Sequence, residues 1–330
     1  MRPNRLAVSL ALLVAATSPG LSQSALDRDG PFSMVPAERA AQAAIEGTDR
    51  VFGGHEAAEG EFPFQVALLN AGTLTDEGQS QYESQFCGGT LIAPDWVLTA
   101  AHCMMDHGEP IAPDSVAVLT GSTDLQGGTR VIGRQIFVHE DYDETSMDHD
   151  VALIRLSTPV TLTPIRLGYD EPLAGNAVVA GWGLTDGGEY PRYLQTTDLE
   201  LVGNDVCGSG IKAIYAADLK ASMSELAQRY KIGDADVARI GNELVKSMGD
   251  PITASMFCAG VQSGGRDTCY GDSGGPLLVQ REGGYIQLGI VSWGEGPADS
   301  EVKCGHADVY GVYSRISSFR DWIQSHLDQP

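Results

Sequence analysis

The hydrophobic pattern changes character along this chain. Residues Leu6–Ala16 form one apolar run behind Arg2 and Arg5. The run is too short for a spanning helix, which takes about 20 apolar residues. A charged start and a short apolar centre instead predict a secretory signal over residues 1–24, cut near Ser24–Ala25. No other segment is long and apolar enough to cross a membrane. Residues 25–50 are rich in Ala, acids and small polar groups and offer little to build a core. From Val51 onward, short β-rich runs alternate with Gly, Asn, Asp and Pro punctuation. Examples are Phe64–Leu69, Thr90–Ile92, Trp96–Leu98, Val131–Val138, Val151–Leu156, Ala177–Ala180, Pro276–Val279, Ile286–Ser292 and Gly311–Arg315. Many short strands so punctuated predict an all-β sandwich or barrel over residues 51–330.

Two stretches break the rhythm. Over Ser317–Leu327, Phe319, Trp322, Ile323 and Leu327 recur at helical spacing and predict a C-terminal helix. Between Cys207 and Cys258 lie 50 residues with two helical runs, Ala216–Tyr230 and Asp234–Met248. Leu219, Met223, Leu226 and Tyr230 line one face; Val237, Ile240, Leu244 and Met248 line another. Gly233-Asp234 reads as a break with an N-cap. The pattern predicts a helical hairpin over about 208–250, either a substrate-gating or partner-binding element or a tolerated surface insertion.

The 330 residues carry a formal charge of −23. Residues 1–50 hold five Arg (2, 5, 28, 39, 50) and five acids (27, 29, 38, 46, 49), so the excess lies in 51–330. An acidic surface repels nucleic acid and anionic membranes, and neither is expected as a partner. Six cysteines (87, 103, 207, 258, 269, 304) behind a secretory signal read as three disulfides in an oxidising compartment. Six cysteines allow 15 pairings, so the count leaves connectivity open. A zinc site is the competing reading, but no C-x-x-C pair exists.

Three strings carry chemistry: Thr99-Ala100-Ala101-His102-Cys103, Asp148-His149-Asp150-Val151-Ala152-Leu153 and Gly271-Asp272-Ser273-Gly274-Gly275-Pro276. A serine hydroxyl is a weak nucleophile until a neighbouring base takes its proton and a carboxylate orients that base. His102 is the candidate base, Ser273 the nucleophile, and Asp150 the orienting carboxylate. Asp148 is its rival; Asp150 is preferred because it abuts the apolar run. The Gly-flanked N–H groups of Gly271 and Ser273 are candidate oxyanion donors. The acids Glu140, Asp141, Asp143, Glu144 and Asp148 lack EF-hand spacing and read as a solvated loop. Neither a metal nor a cofactor is expected.

These strings resemble the chymotrypsin/trypsin-like (S1) family of serine proteases, over residues 51–330 apart from the 208–250 insertion. The resemblance implies two six-stranded antiparallel β-barrels, split near residues 160–170, with a cleft between them. It implies the pairings Cys87–Cys103, Cys207–Cys258 and Cys269–Cys304. Arg50-Val51-Phe52-Gly53-Gly54 resembles the family's activation junction, so residues 25–50 read as a propeptide and the chain as a zymogen. The freed Val51 amine would pair with Asp272. Where many relatives carry a His able to hold that Asp in the zymogen, this chain has Gln85. Asp267 matches the floor of a trypsin-like pocket with Gly294 and Gly311 as open walls. Ser292 would support Asp150, and the Trp293 backbone would pair with substrate.

The implied activity is a secreted or periplasmic endopeptidase cutting after Arg or Lys. Polypeptide substrates, an activating protease and protein inhibitors would be its partners, and it is expected to be a monomer. A catalytically silent binding protein and a chymotrypsin- or elastase-like peptidase are the alternatives. The 295–303 loop is longer than usual, and Tyr310 stands where Tyr accompanies Na⁺ sensitivity in relatives.

Overall fold

The computed structural model describes residues 30–43, 54–297, 300 and 304–328. The signal segment, Arg50 and Val51, and part of the 295–303 loop lie outside the described residues. The first barrel is built from β1 (Gln65–Asn70), β2 (Gln85–Ala93), β3 (Trp96–Thr99), β4 (Val116–Thr120), β5 (Thr129–Val138) and β6 (Ala152–Leu156). They close in the order β1-β2-β3-β6-β5-β4, with every pair antiparallel.

The second barrel uses β7 (Asn176–Gly181), β8 (Gln195–Val202), β9 (Met256–Gly260), β10 (Pro276–Arg281), β11 (Gly284–Trp293) and β12 (Gly311–Arg315). It repeats the same order, β7-β8-β9-β12-β11-β10, again antiparallel throughout. Short strands flank it: His55–Glu56 lies on β8, and Arg166–Leu167 runs parallel to β11.

Two kinds of strand appear, and each has a cause in the sequence. β4 is a continuous apolar run, and all five of its residues are buried. β5 alternates instead, with Val131 and Gly133 inward and Arg130, Ile132 and Arg134 outward. Val66, Leu68, Leu91, Leu98 and Ile154 fill the first barrel; Phe257, Leu277, Leu288 and Tyr313 fill the second. Burying each large apolar side chain contributes about 1.5–3 kcal/mol. Disulfides join Cys87 to Cys103, Cys207 to Cys258 and Cys269 to Cys304.

Five α-helices decorate the described residues: α1 (Pro31–Ala43), α2 (Gly78–Ser84), α3 (Asn204–Tyr230), α4 (Asp234–Ser247) and α5 (Arg320–Leu327). The C-terminal helix is preceded by a 3₁₀ turn over Ile316–Phe319, and it buries Ile323. Two expectations need correction. The inserted hairpin begins at Asn204 rather than near 208, because Cys207 sits in the first turn and its disulfide ties the helix start to β9. Of the predicted stripes, Leu226, Tyr230, Ile240 and Leu244 are exposed, while Leu219, Met223, Val237 and Met248 are half-buried, with Met223 Sδ 3.4 Å from where a Gly241 Cβ would stand. Finally, residues 31–43 do contribute to the core: α1 buries Val35 and Arg39 completely. No helix of the described residues is long and apolar enough to cross a membrane.

Candidate active site

β3 ends at Thr99, and the chain turns through buried Ala100 and Ala101 into a 3₁₀ turn, His102–Met104, pinned by the Cys87–Cys103 disulfide. Asp150 stands at the entry to β6, the strand paired with β3. Its carboxylate is fully buried and holds His102 twice: Oδ1 accepts from the backbone N at 2.9 Å, and Oδ2 lies 2.8 Å from Nδ1. The Ser292 hydroxyl donates to the same Oδ2 at 2.5 Å, and Ser314 Oγ donates to the Asp150 carbonyl at 2.7 Å. A buried carboxylate is tolerable only with such partners.

His149 adopts φ 55° and turns the chain between the two aspartates. Asp148 therefore accepts from the hydroxyls of Thr253 and Ser255 and makes no bond to His102.

Ser273 lies on the turn that leads into β10. Gly274 has φ 80°, and a Cβ there would come within 2.1 Å of Thr99 Oγ1 and 2.5 Å of the Gly88 carbonyl. Only glycine permits this approach, which brings the serine turn against the His102-bearing segment. Gly88 N donates to the Ser273 carbonyl at 2.7 Å. Ser273 Oγ itself is not hydrogen-bonded to His102; Cys103 Sγ lies 3.8 Å from Nε2. Such bonds commonly tighten only when substrate binds.

Gln85, fully buried, donates from Nε2 to the carbonyls of Gly271 at 2.9 Å and Cys87 at 3.0 Å. It thereby anchors Gly271, whose φ is 94°. In the sequence, Gln85 stands out only as a missing histidine. The Thr99 hydroxyl donates to the Gly88 carbonyl, a role the string around His102 does not reveal, and Ser314 escapes sequence reading altogether, because an isolated hydroxyl residue carries no spacing signal.

Asp267 is half-buried, and desolvation pushes its carboxyl up to about 7 against the opposing hydrogen bonds from the Thr268 and Gly305 backbones. A Cβ on Gly311 would lie 2.7 Å from Asp267 Oδ1, whereas one on Gly294 would meet open space. An acid beneath an unobstructed opening is the arrangement these three residues provide. Trp293 ends β11 opposite Val312, and Tyr215 of α3 donates to Glu295 at 3.1 Å, so the hairpin base touches the same rim. Tyr310 is buried and packs on Gly260.

Asp272 accepts from Gly183 N at 2.7 Å and Cys269 N at 3.0 Å, and burial raises its carboxyl to about 6. A cavity of ≈ 30 Å³ opens beside it, lined by Gly181, Gly183, Gln195, Thr196, Asp267 and Asp272. That is room for a water or an ammonium group. The Cys87–His102–Cys103 cluster offers no thiolate ligand, since its sulfurs are joined.

The chain is similar in sequence to known proteins. The family profile described as Trypsin matches residues 51–234 and 222–323. Vitamin K-dependent protein C of Oryctolagus cuniculus is 31% identical over 284 residues, covering 85% of this chain and 53% of that protein. Transmembrane protease serine 7 of Mus musculus is 33% identical over 294 residues, covering 84% of this chain and 28% of its own length. The chain thus spans about half of one relative and about a quarter of the other. Two closed antiparallel barrels and a profile match over most of the chain place it in the trypsin family of chymotrypsin-like serine proteases.

Proposed function

We propose that this chain is a secreted endopeptidase, made as a zymogen, that hydrolyses peptide bonds after Arg or Lys. The observation that carries the reading is the double grip of buried Asp150 on His102, which fixes the imidazole with Nδ1–H toward the carboxylate and leaves Nε2 to act as base. His102 takes the Ser273 Oγ proton as the oxygen attacks the scissile carbonyl. The N–H groups of Gly271 and Ser273 stabilise the resulting oxyanion. On collapse, His102 returns the proton to the departing amine, leaving an acyl group on Ser273. Water then repeats the sequence and frees the acid. Asp267, charged once a cation enters, would form a charge-assisted and potentially bidentate pair with a substrate guanidinium.

Activation would follow a cut after Arg50. The Val51 ammonium would enter the small cavity beside Asp272 and supply the partner that a buried carboxylate needs. The substrates would be polypeptides, with an activating protease and protein inhibitors as further partners.

The test is a P1 library cleaved by the Val51-terminated form and its Ser273→Ala variant. Arg and Lys should exceed Leu and Ala by orders of magnitude in kcat/KM, and Ser273→Ala should lose amidase activity. Retained activity in that variant, or a Leu or Ala preference, overturns the reading.

A further inference from the structure

One buried cation serves neither the triad nor the pocket. Helix α1 presents Phe32, Val35, Pro36 and Arg39 on one stripe at helical spacing. The first three are ordinary anchors: Val35 and Pro36 are buried, and Phe32 meets Phe86 edge-on at 5.2 Å. The fourth is a fully buried arginine. Its guanidinium lies 4.5 Å from the Tyr190 ring centre and 5.0 Å from that of Tyr82, and Nη2 donates to the Trp182 carbonyl. Burial lowers the Arg39 pKa to about 10, so the group remains a cation at neutral pH.

The surroundings are built around this helix. Gln42 donates to Tyr82 Oη at 2.8 Å and to the Tyr190 carbonyl at 3.0 Å, and its Oε1 accepts from Tyr190 N at 2.6 Å. Tyr190 Oη donates to Glu38, and Ser33 donates to Asp106 at 2.9 Å.

Two features connect this site to catalysis. Trp182 O and Gly183 N belong to one peptide unit. Arg39 binds its carbonyl, and Asp272 binds its N–H at 2.7 Å. Hydrogen bonds at the two ends of one peptide polarise each other, so cation and acid are coupled through it. The second feature is position. The Phe86 ring under Phe32 adjoins Cys87, whose disulfide partner Cys103 lies against His102 Nε2. Nε2 is the nitrogen that returns the proton to the departing amine in the reading above, so the helix lies on the side of His102 that the leaving group would meet.

Resting on the triad assignment above, we propose that Tyr82, Tyr190 and the Trp182 carbonyl form an arginine-binding site on the protease domain. Its ligand is the chain's own helix Pro31–Ala43, held through Arg39 across the leaving-group flank and retained non-covalently after the chain is cut at Arg50. No disulfide joins the helix to the domain, since all six cysteines pair downstream of it. Retention therefore depends on these contacts.

The test uses the full chain with a site-specific protease sequence in place of residues 46–50, cut to expose Val51. Two quantities are read for wild type, Arg39→Ala and Arg39→Lys. One is co-elution of the N-terminal fragment in native chromatography with mass detection. The other is the kcat/KM ratio between a peptide extended three residues beyond the scissile bond and an anilide with the same acyl part. Wild type should retain the fragment at micromolar concentration. Arg39→Ala should release it and raise the extended-to-short ratio at least tenfold. Arg39→Lys should fall between, because lysine keeps the charge but not the flat stacking surface.

A helix that merely aids folding would change both substrates alike. An unchanged ratio in Arg39→Ala, loss of the fragment from wild type, or its retention in Arg39→Ala overturns the proposal. If neither substrate is cleaved yet retention follows Arg39 as described, the arginine site stands and the catalytic reading falls.

Discussion

At pH 8, Asp267→Asn should stabilise the resting chain while removing its preference for basic residues. Desolvation pushes the carboxyl up to about 7 in the folded protein, against 3.8 for an exposed aspartate. A raised carboxyl pKa contributes stability that is fully present below the unfolded value near 3.8 and lost as pH rises through about 7. A rise of that size corresponds to about 4 kcal/mol as a ceiling. An amide removes the charge but keeps only one acceptor oxygen for the two backbone donors, Thr268 N–H at 2.8 Å and Gly305 N–H; leaving one bond unmade costs about 1–3 kcal/mol. The net gain at pH 8 should be about 1–3 kcal/mol, whereas at pH 4, where the folded carboxyl is neutral, the unmade bond should leave Asp267→Asn about 1–3 kcal/mol less stable than wild type. For a domain of this size, that is about 2–4 °C in Tm per kcal/mol.

The assay is denaturant and thermal unfolding from pH 4 to pH 8 in a Ser273→Ala background, which removes autolysis. Wild type should lose stability across that range, and Asp267→Asn should run flatter. An amidinium ligand should stabilise wild type alone. In active chains, kcat/KM for Arg substrates should fall by about 10²–10⁴ on breaking a buried charge pair. Equal pH slopes in both chains, or Arg cleavage surviving in Asp267→Asn, would refute the assignment of this acid.

Asp150→Asn should fold normally yet lower kcat by about 10⁴, as expected when the imidazole tautomer is no longer fixed; near-wild-type kcat would exclude the double grip as a catalytic feature. Gln85→Leu removes the bond to the Gly271 carbonyl, so kcat should drop about tenfold to a hundredfold with KM little changed; steady-state kinetics that move KM alone would place Gln85 in binding instead. Gly294→Val puts atoms into open space, so stability should stay within about 0.5 kcal/mol of wild type. Its KM for Arg substrates should nevertheless rise at least tenfold, and unchanged cleavage would show that Gly294 does not wall the pocket.

What the sequence makes legible follows from how local each signal is. Strands such as Gly311–Arg315 are readable because composition and turns agree over a few residues. Asp150 is preferred over Asp148 in the sequence only by its place beside an apolar strand; the reason in space is the left-handed His149 between them. The barrel closure and shared strand order depend on pairings such as β8 with β9, which join residues about 60 apart and leave no trace in either segment. In the hairpin, hydrophobic spacing marks a stripe without saying what covers it: Met223 meets Gly241, whereas Leu226, Tyr230, Ile240 and Leu244 stay exposed, and a glycine such as Gly241 is nearly silent in such a pattern. Helix α1 is hidden for the opposite reason. Its fourth anchor is Arg39, a residue that patterning assigns to solvent, and only the two tyrosines some 40 and 150 residues away make it an interior position.

The two raised acids tie these observations together. Asp267 and Asp272 are both half-buried and line one cavity, and the Asp272 charge raises the cost of ionising Asp267. Each therefore favours whatever cation reaches it, and the cations differ. Arg39 already acts on Asp272 through the Trp182–Gly183 peptide, and the Val51 amine would act on it directly. Among the described residues, Asp267 is held by the backbone donors of Thr268 and Gly305. The resting chain thus holds one acid partly compensated from within and one that is not. Compensating Asp272 fully should lower the cost of charging Asp267, because a neutralised neighbour no longer opposes it. Activation and substrate binding would then reinforce each other through the same pair of acids. Affinity for a simple amidinium ligand should accordingly be higher in the Val51-terminated form than in the uncut chain, even with Ser273 replaced by Ala; calorimetry that finds equal affinities would separate the two acids and confine Asp267 to the pocket alone.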